Sequence, residues 1–179
     1  MPDFPGLIDT AFAGVLSTAG PECAIAQHQL TLGSGFATAA AWPSANLAIY
    51  VPVSVTEQIT VYQMSIEVGA QAGNFDVGIY NEGGTRLVSS GSTVVGAAGL
   101  QPFNITDTIL SPGIYYLAGV CSTVTTATFL SGAPDLKIAR TCGVQQQATA
   151  LPLPATATFA NLGSAYIPRI SAHFMVATV

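Results

Sequence analysis

The stretch that decides the fold runs from Asn74 to Cys121, NFDVGIYNEGGTRLVSSGSTVVGAAGLQPFNITDTILSPGIYYLAGVC. In its first segment, NFDVGIY, large apolar residues alternate with Asp, Gly and Tyr, which is the period of a half-buried strand. The segment TRLVSS follows after the turn Asn81-Glu82-Gly83-Gly84, whose glycines can supply the positive backbone dihedrals of a tight turn. We therefore predict a β-hairpin over residues 74–90.

The same stretch ends on a second strong pattern. Pro112-Gly113 is a turn dipeptide, and the segment from Ile114 to Cys121 is apolar on both of its alternating faces. A strand with two apolar faces is covered on both sides. We expect this strand to be central and buried.

Further strand patterns lie before this stretch. LAIYVPVSV at 47–55 is apolar, and its Pro52 favours an edge or bulge position. ITVYQMSIEVG at 59–69 is predicted as one regular strand, with one face formed by Tyr62, Met64, Ile66 and Val68.

After the hairpin, residues 92–113 indicate one or two short strands, and ATFLSG at 127–132 and LKIART at 136–141 indicate two more. Residues 143–165 carry little charge and are predicted as a long loop that serves as an interaction segment. In the last strand one face holds Ile170, Ala172, Phe174 and Val176. The other face holds Arg169, Ser171, His173 and Met175, either as a solvated face or as a subunit contact.

The pattern as a whole contains about eight to ten short strands and no convincing amphipathic helix. It predicts an all-β fold, an antiparallel β-sandwich of jelly-roll-like topology with an extended N-terminal arm. We place the arm and a first strand at residues 1–45 and the sandwich domain at 46–179.

The composition is unusually poor in charge. Only 7% of the 179 residues are charged, against about 25% in a typical soluble domain, and the mean hydropathy is +0.52. Such a chain is either a membrane protein or a subunit whose surface partners cover. Polar residues or prolines interrupt every apolar stretch before 18 residues, so we expect no membrane span and favour a subunit of an assembly. The net charge of −5, with only four scattered Lys and Arg residues, argues against nucleic acid as a partner.

The arm at 1–45 is rich in small residues yet carries many large apolar ones. Asp3 and Asp9 stand where a secretory signal has Lys or Arg, so we expect no signal peptide. A poorly ordered terminus is one interpretation; the apolar content favours an arm that docks on a neighbouring subunit. The candidate partner-binding residues are Phe4, Leu7, Ile8, Phe12, Leu16 and Trp42.

No constellation indicates catalysis. A paired-carboxylate hydrolase would need two acids in one cleft, and Asp76 and Glu67 are the candidates, although capping and solvated roles suit them better. The nucleophile motif GxSxG is missing, and the two histidines stand 145 residues apart. Three cysteines without a CxxC pair suggest neither a zinc site nor a disulfide framework, with a Cys121–Cys142 bridge left open. We expect no enzyme activity, no metal and no cofactor.

Two aromatic residues leave a binding role open. Trp42 and Tyr50 could stack on a sugar ring, as aromatics do in carbohydrate-binding sandwiches. A single tryptophan beside Pro43 is also typical of a side chain that packs at the rim of a core.

The order NLAIYVPVSV, ITVYQMSIEVG, NFDVGIYNEGGTRLVSSGST and ITDTILSPGIYYLAGVCSTVTTATF resembles a family of small β-sandwich proteins encoded by tailed bacteriophages. It resembles more distantly the jelly-roll modules attached to secreted peptidases. The similarity covers roughly residues 46–131 and carries over no catalytic residues. It implies a virion structural protein: a head decoration (cement) protein, a head fibre, or a domain of a tail or receptor-binding protein.

The short chain has no heptad or repetitive shaft, which favours decoration of the capsid surface over a tail fibre. The implied partners are the major capsid protein and copies of the same chain, and the family implies a homotrimer. The alternative is a tail-fibre, receptor-binding or glycan-binding module that contacts a glycan of the host surface.

Overall fold

The computed structural model describes residues 23–26, 38–124, 128–132, 136–148 and 151–176, and these form two antiparallel sheets packed face to face. In chain order the elements are β1 (Cys23–Ala26), β2 (Thr38–Ala41), β3 (Leu47–Val55), β4 (Ile59–Ala70), β5 (Asn74–Asn81), β6 (Arg86–Ser89), β7 (Thr93–Val94), β8 (Gly99–Leu110), β9 (Gly113–Cys121), β10 (Thr128–Gly132), α1 (Leu136–Thr141), β11 (Gln145–Ala148), β12 (Ala160–Asn161), β13 (Ile167–Pro168) and β14 (Ile170–Val176).

The pairing of the strands is that of a jelly roll. In one sheet, sheet A, the order β2-β10-β4-β8 faces β3-β9-β5-β6 in sheet B. These eight strands alternate between the two sheets along the chain, except at the β5–β6 hairpin. Strand β14 pairs with most of β4 and carries β1 beyond it, while β11 and β12 extend sheet B beyond β3. The predicted all-β, jelly-roll-like sandwich is confirmed.

The predicted hairpin forms as β5 and β6. Gly84 has a φ of 83°, a left-handed conformation that favours glycine, and its N–H donates to the Asn81 carbonyl at 3.0 Å. The Asn81 side chain accepts a second bond from the Thr85 N–H at 2.8 Å. The turn therefore satisfies its own backbone groups and fixes the register of the two strands.

Strand β9 lies between β3 and β5, as predicted, but it is buried only along residues 117–121, and Ile114 at its start is 47% exposed. The core between the sheets is built from alternate residues of the facing strands. Phe75, for example, packs so closely over Gly119 that a Cβ at that position would lie 2.7 Å from the ring. Only glycine fits here without moving the ring.

The prediction that Pro52 lies at an edge position is confirmed. Strand β11 pairs with residues 47–50 of β3, whereas Pro52 pairs only with Tyr116 of β9. Pro52 thus lies in the half of β3 that forms a sheet edge, where a missing N–H breaks no pairing.

The segment LKIART is a helix, not the predicted strand. Leu, Lys, Ala and Arg all favour helix, and the half-buried Leu136 and buried Ala139 recur at a helical spacing. Gly143, with a φ of 81°, then ends the helix: its N–H bonds to the Arg140 carbonyl and the Val144 N–H to the Ala139 carbonyl. This is a Schellman cap, which the glycine after the segment could have signalled.

Strand β4 does not alternate regularly as predicted. Its pairing with β14 slips between Val61 and Gln63, so Tyr62 forms a bulge. Residues Ile59 and Val61 therefore point into the core together with Met64, Ile66 and Val68, although strict alternation assigns the two groups to opposite faces. A one-residue slip exchanges the faces of everything that follows it.

The prediction for residues 143–165 was wrong in part, because β11 and β12 lie within this range. Between them, residues 151–159 cross the outer face of sheet B and bury it. For this reason β5 is buried along 75–80 on both faces, not on one face as its alternation predicted.

Candidate functional surface

The outer face of sheet B is covered by residues 151–159, here called the strap. A second core lies beneath it, with Leu153 of the strap buried against outward-pointing residues of three strands: Ala48, Tyr50, Tyr80, Ala118 and Val120. The rings of Tyr50 and Tyr80 meet edge to face at 5.1 Å, and Phe159 meets Tyr50 in the same way at 5.1 Å. The strap therefore covers this face of the sheet with a buried apolar layer that includes aromatic rings.

One buried carboxylate holds the centre of the strap. Asp76 is fully buried in β5 and accepts hydrogen bonds from the Leu153 N–H at 2.8 Å and the Ser90 hydroxyl at 3.1 Å, with the Ser89 hydroxyl at 3.4 Å. Burial raises the pKa of the Asp76 carboxyl, while these hydrogen bonds and the positive charge of Arg86 oppose the rise. Asp76 is thus a structural anchor whose hydrogen-bonding capacity is used inside the fold.

The backbone of the strap forms hydrogen bonds with β6 and the turn before it, as the backbone of an added strand would. The Arg86 N–H donates to the Ala155 carbonyl at 3.0 Å, and the Ala157 N–H donates to the Gly84 carbonyl at 2.7 Å. The Arg86 guanidinium also donates to the Leu153 carbonyl, and the Tyr80 hydroxyl donates to the Pro154 carbonyl at 2.6 Å. The edge of β6 is therefore occupied by the chain itself.

The two candidate carboxylates do not meet. Asp76 lies under the strap on sheet B, whereas Glu67 points outward from sheet A and forms an ion pair with Arg169 at 2.7 Å. A paired-carboxylate site would need both groups in one cleft. The arrangement gives these two acids no joint chemistry.

The outer face of sheet A is organised differently. The outward-pointing residues of its three adjacent long strands form cross-strand rows, and together we call them the A face: Met175, Thr60 and Ile109; His173, Gln63 and Asn104; Ser171, Ser65 and Pro102; and Glu67 with Leu100 and Arg169.

The polar side chains of the A face bond to one another across the strands. Gln63 donates to Asn104 at 3.1 Å. The Ser65 hydroxyl lies 2.6 Å from that of Ser171 and 2.9 Å from Nε2 of His173. With the Glu67–Arg169 pair, three of the four rows contain polar side chains that bond to one another.

The Ser65–His173 contact has the length of a nucleophile–base pair, but its surroundings differ from those of a catalytic pair. Ser65 is only 1% exposed, and no described carboxylate bonds to the other ring nitrogen of His173. A triad needs an accessible nucleophile and an orienting acid. The contact therefore matches a structural hydrogen bond.

Apolar side chains stand exposed at both ends of the A face. At one end Ile109 is 64% exposed and Met175 is 38% exposed, on either side of Thr60; at the other end Leu100 is 65% exposed. Strand β8 that carries two of them pairs only with β4 among the described strands, so it forms an edge of the sheet. The sequence placed Ser171, His173 and Met175 together, but it did not show their partners on β4 and β8.

The aromatic candidates for binding are core residues. Trp42 is 1% exposed, packs edge to face on Phe75 at 5.2 Å and on Tyr166 at 5.3 Å, and donates from Nε1 to the Leu47 carbonyl. Tyr50 is fully buried under the strap, and desolvation raises its pKa to about 12. Neither ring offers a face to a sugar or a protein partner, so the structure corrects the placement of Trp42 among the contact residues.

The other candidates of the arm, Phe4, Leu7, Ile8, Phe12 and Leu16, lie outside the described residues. Within the range assigned to the arm, residues 23–26 and 38–41 form strands of sheet A. Cys121 and Cys142 are free thiols, and burial raises the pKa of Cys121.

The described residues offer neither a metal-binding cluster nor a membrane-spanning helix. No group of three His, Cys, Asp or Glu side chains there could hold a metal ion. No helix of the described chain is long and apolar enough to span a membrane.

Comparison of the chain with protein-family models, with curated proteins and with solved structures finds no match.

Proposed function

We propose that this chain is a non-enzymatic structural protein of a tailed-bacteriophage virion, which binds the outer surface of the capsid and stabilises neighbouring capsid subunits. The observation that carries the proposal is a chain poor in charge whose fold exposes large apolar side chains. Only 7% of the residues are charged, and Val94, Leu100 and Ile109 are each about two-thirds exposed. A domain of this kind is suited to a partner that covers it.

The packing of the sandwich core also supports the proposal. The described residues fill both the space between the sheets and the space under the strap, so the exposed apolar side chains are not remnants of an incomplete core. Their exposure lowers the solubility of a free chain. A permanent protein partner would remove that penalty.

Stabilisation of a shell by such a protein needs no chemistry. An interface of standard size buries about 1,600 Å² in total, and many copies on one shell hold their neighbours together additively. We also propose that the apolar residues of the arm, Phe4, Leu7, Ile8, Phe12 and Leu16, contact the capsid, and that the protein is a homotrimer as the family resemblance implies.

The test is co-sedimentation of the purified protein with undecorated phage capsids, together with its mass in solution. We expect saturable binding at a fixed number of copies per capsid. A protein that stays in the supernatant at saturating concentration would overturn the proposal and shift attention to a tail or host-surface role.

The arm has its own test within the same assay. A variant that lacks residues 1–20 should lose most of its affinity while keeping the far-ultraviolet circular dichroism spectrum of a β protein. Unchanged binding by the shortened protein would remove the arm from the interface.

A further inference from the structure

We infer that the A face is the surface that docks on the capsid, and that the partner it fits is a flat protein surface without strong negative charge. This inference rests on the proposed function and adds to it the part of the sandwich that makes contact.

The two outer faces differ in what covers them. The strap crosses the outer face of sheet B and buries Tyr50 and Tyr80 in the second core beneath it, although Leu87, Val94 and Ile114 of this sheet stay exposed on three separate strands. The strap leaves the outer face of sheet A uncovered, and Ile109 there is 64% and Leu100 65% exposed on one strand. The A face therefore combines exposed apolar side chains with an outer face that the strap does not cross.

Polar side chains lie between the apolar ends of the A face. Polar groups weaken an interface when docking strips them of water and leaves them unpaired. Here Gln63 is bonded to Asn104, and Ser65 is bonded to Ser171 and His173. Because these groups bond to one another, a flat surface that covers them breaks fewer hydrogen bonds to water than it would on a face of unpaired polar side chains.

The A face carries little net charge. Glu67 and Arg169 neutralise one another at 2.7 Å, and the exposed Asp107 of β8 adds one negative charge beside the face. Electrostatic complementarity then disfavours a strongly acidic partner, which argues for a protein shell over nucleic acid.

The A face has about half the area that one partner contributes to a standard interface. From Leu100 to Ile109 an extended strand covers about 30 Å, and three adjacent strands are about 14 Å wide, so the face measures about 400 Å². Each partner of a standard interface contributes about 800 Å². The A face can therefore supply about half of the contact, and the apolar arm can supply the remainder.

The test compares two exposed isoleucines. Ile109→Asp places a charge on the A face, whereas Ile114→Asp places the same charge on β9 of sheet B, where Ile114 is 47% exposed. We expect Ile109→Asp to weaken capsid binding by about tenfold or more and Ile114→Asp to change it less than about twofold, since a desolvated unpaired charge is penalised only inside an interface. Thermal unfolding of both variants checks that the fold is kept; if Ile109→Asp does not fold, Leu100→Asp against Leu87→Asp repeats the comparison.

The outcomes separate the inference from the function it rests on. Absence of binding by the unaltered protein would overturn the proposed function itself. Saturable binding by the unaltered protein with no loss in Ile109→Asp or Leu100→Asp would overturn the A face alone. A fall in the mass of free Ile109→Asp, with capsid affinity unchanged, would show that the face joins copies of this chain and would equally overturn the inference.

Discussion

At the scale of single residues, Asp76 is the side chain on which the covered face of sheet B depends. Its carboxylate accepts hydrogen bonds from the Leu153 N–H and from two serine hydroxyls in a fully buried position. Sequence alternation predicted the inward partners Phe75 and Val77 but assigned Asp76 to solvent. Nothing in a local pattern shows that a segment more than 70 residues away will supply its donor.

Truncation of this side chain should be costly. Asp76→Ala leaves the buried Leu153 N–H without its acceptor, so we expect a loss of about 1–3 kcal/mol in the free energy of unfolding. Asp76→Asn should be milder because an amide oxygen can still accept from that N–H. Urea denaturation measures both, with Asp107→Ala on the exposed part of β8 as the control; equal effects of Asp76→Ala and Asp107→Ala would contradict the role of Asp76 as anchor.

The raised pKa of Asp76 gives a direction for pH. Because the folded state holds this proton more tightly than the unfolded state, the contribution of Asp76 to stability is complete below the unfolded pKa of about 4 and falls as pH rises through the folded pKa. The stability of the unaltered protein relative to Asp76→Asn should therefore decrease across this range. Denaturation of both proteins at several pH values tests it, and a relative stability that rises with pH would contradict burial as the dominant cause of the shift.

At the scale of elements, the sequence predicted the strands well and their irregularities poorly. The hairpin β5–β6 and the central β9 follow from local alternation and turn glycines, and both are confirmed. The bulge at Tyr62 could not be predicted, because it is defined by pairing with β14, more than 100 residues further along the chain. The rows of the A face depend on that pairing. The sequence pattern therefore grouped only the members of the rows that lie on β14.

The position of the strap is a second feature that the sequence did not predict. Its Pro152 and Pro154 argued for a loop, and the segment is indeed neither helix nor regular strand. A signal for its position existed in the outward residues of sheet B, since Tyr50 and Tyr80 are too apolar for a solvated face. A sheet with apolar residues on both sides requires a second covering layer.

Removal of the strap's buried side chain tests that layer. Leu153 is 1% exposed, so Leu153→Ala should lower the free energy of unfolding by about 2–5 kcal/mol through the cavity it leaves. Leu87 is 41% exposed on β6, and Leu87→Ala should change it by no more than about 0.5 kcal/mol. Chemical denaturation of both variants measures these changes. An unchanged free energy of unfolding in Leu153→Ala would mean that the strap does not seal the second core.

At the scale of the whole molecule, the two outer faces are built differently. The chain's own strap crosses one of them, and the other carries polar side chains that bond across the strands between exposed apolar ends. The fold class followed from composition and alternation alone. Which face is closed did not, because it depends on where residues 151–159 cross the sheet.

The tryptophan distinguishes the proposed role from glycan binding through this ring. Trp42 is the single tryptophan of the chain and is buried between Phe75 and Tyr166. We expect its fluorescence to be blue-shifted in the folded protein, to shift red on unfolding, and to remain unchanged when host polysaccharide is added. A saturable change with polysaccharide under folding conditions would support the glycan-binding alternative.

The most direct test of the central claim is hydroxyl-radical footprinting of the protein free and bound to capsids, with side-chain oxidation followed by mass spectrometry. We predict that oxidation of Met175, Leu100 and Ile109 falls sharply in the bound state, while that of Leu87 and Ile114 stays the same. Equal oxidation of the A-face residues in both states, or protection confined to Leu87 and Ile114, would contradict the claim that this face binds the shell.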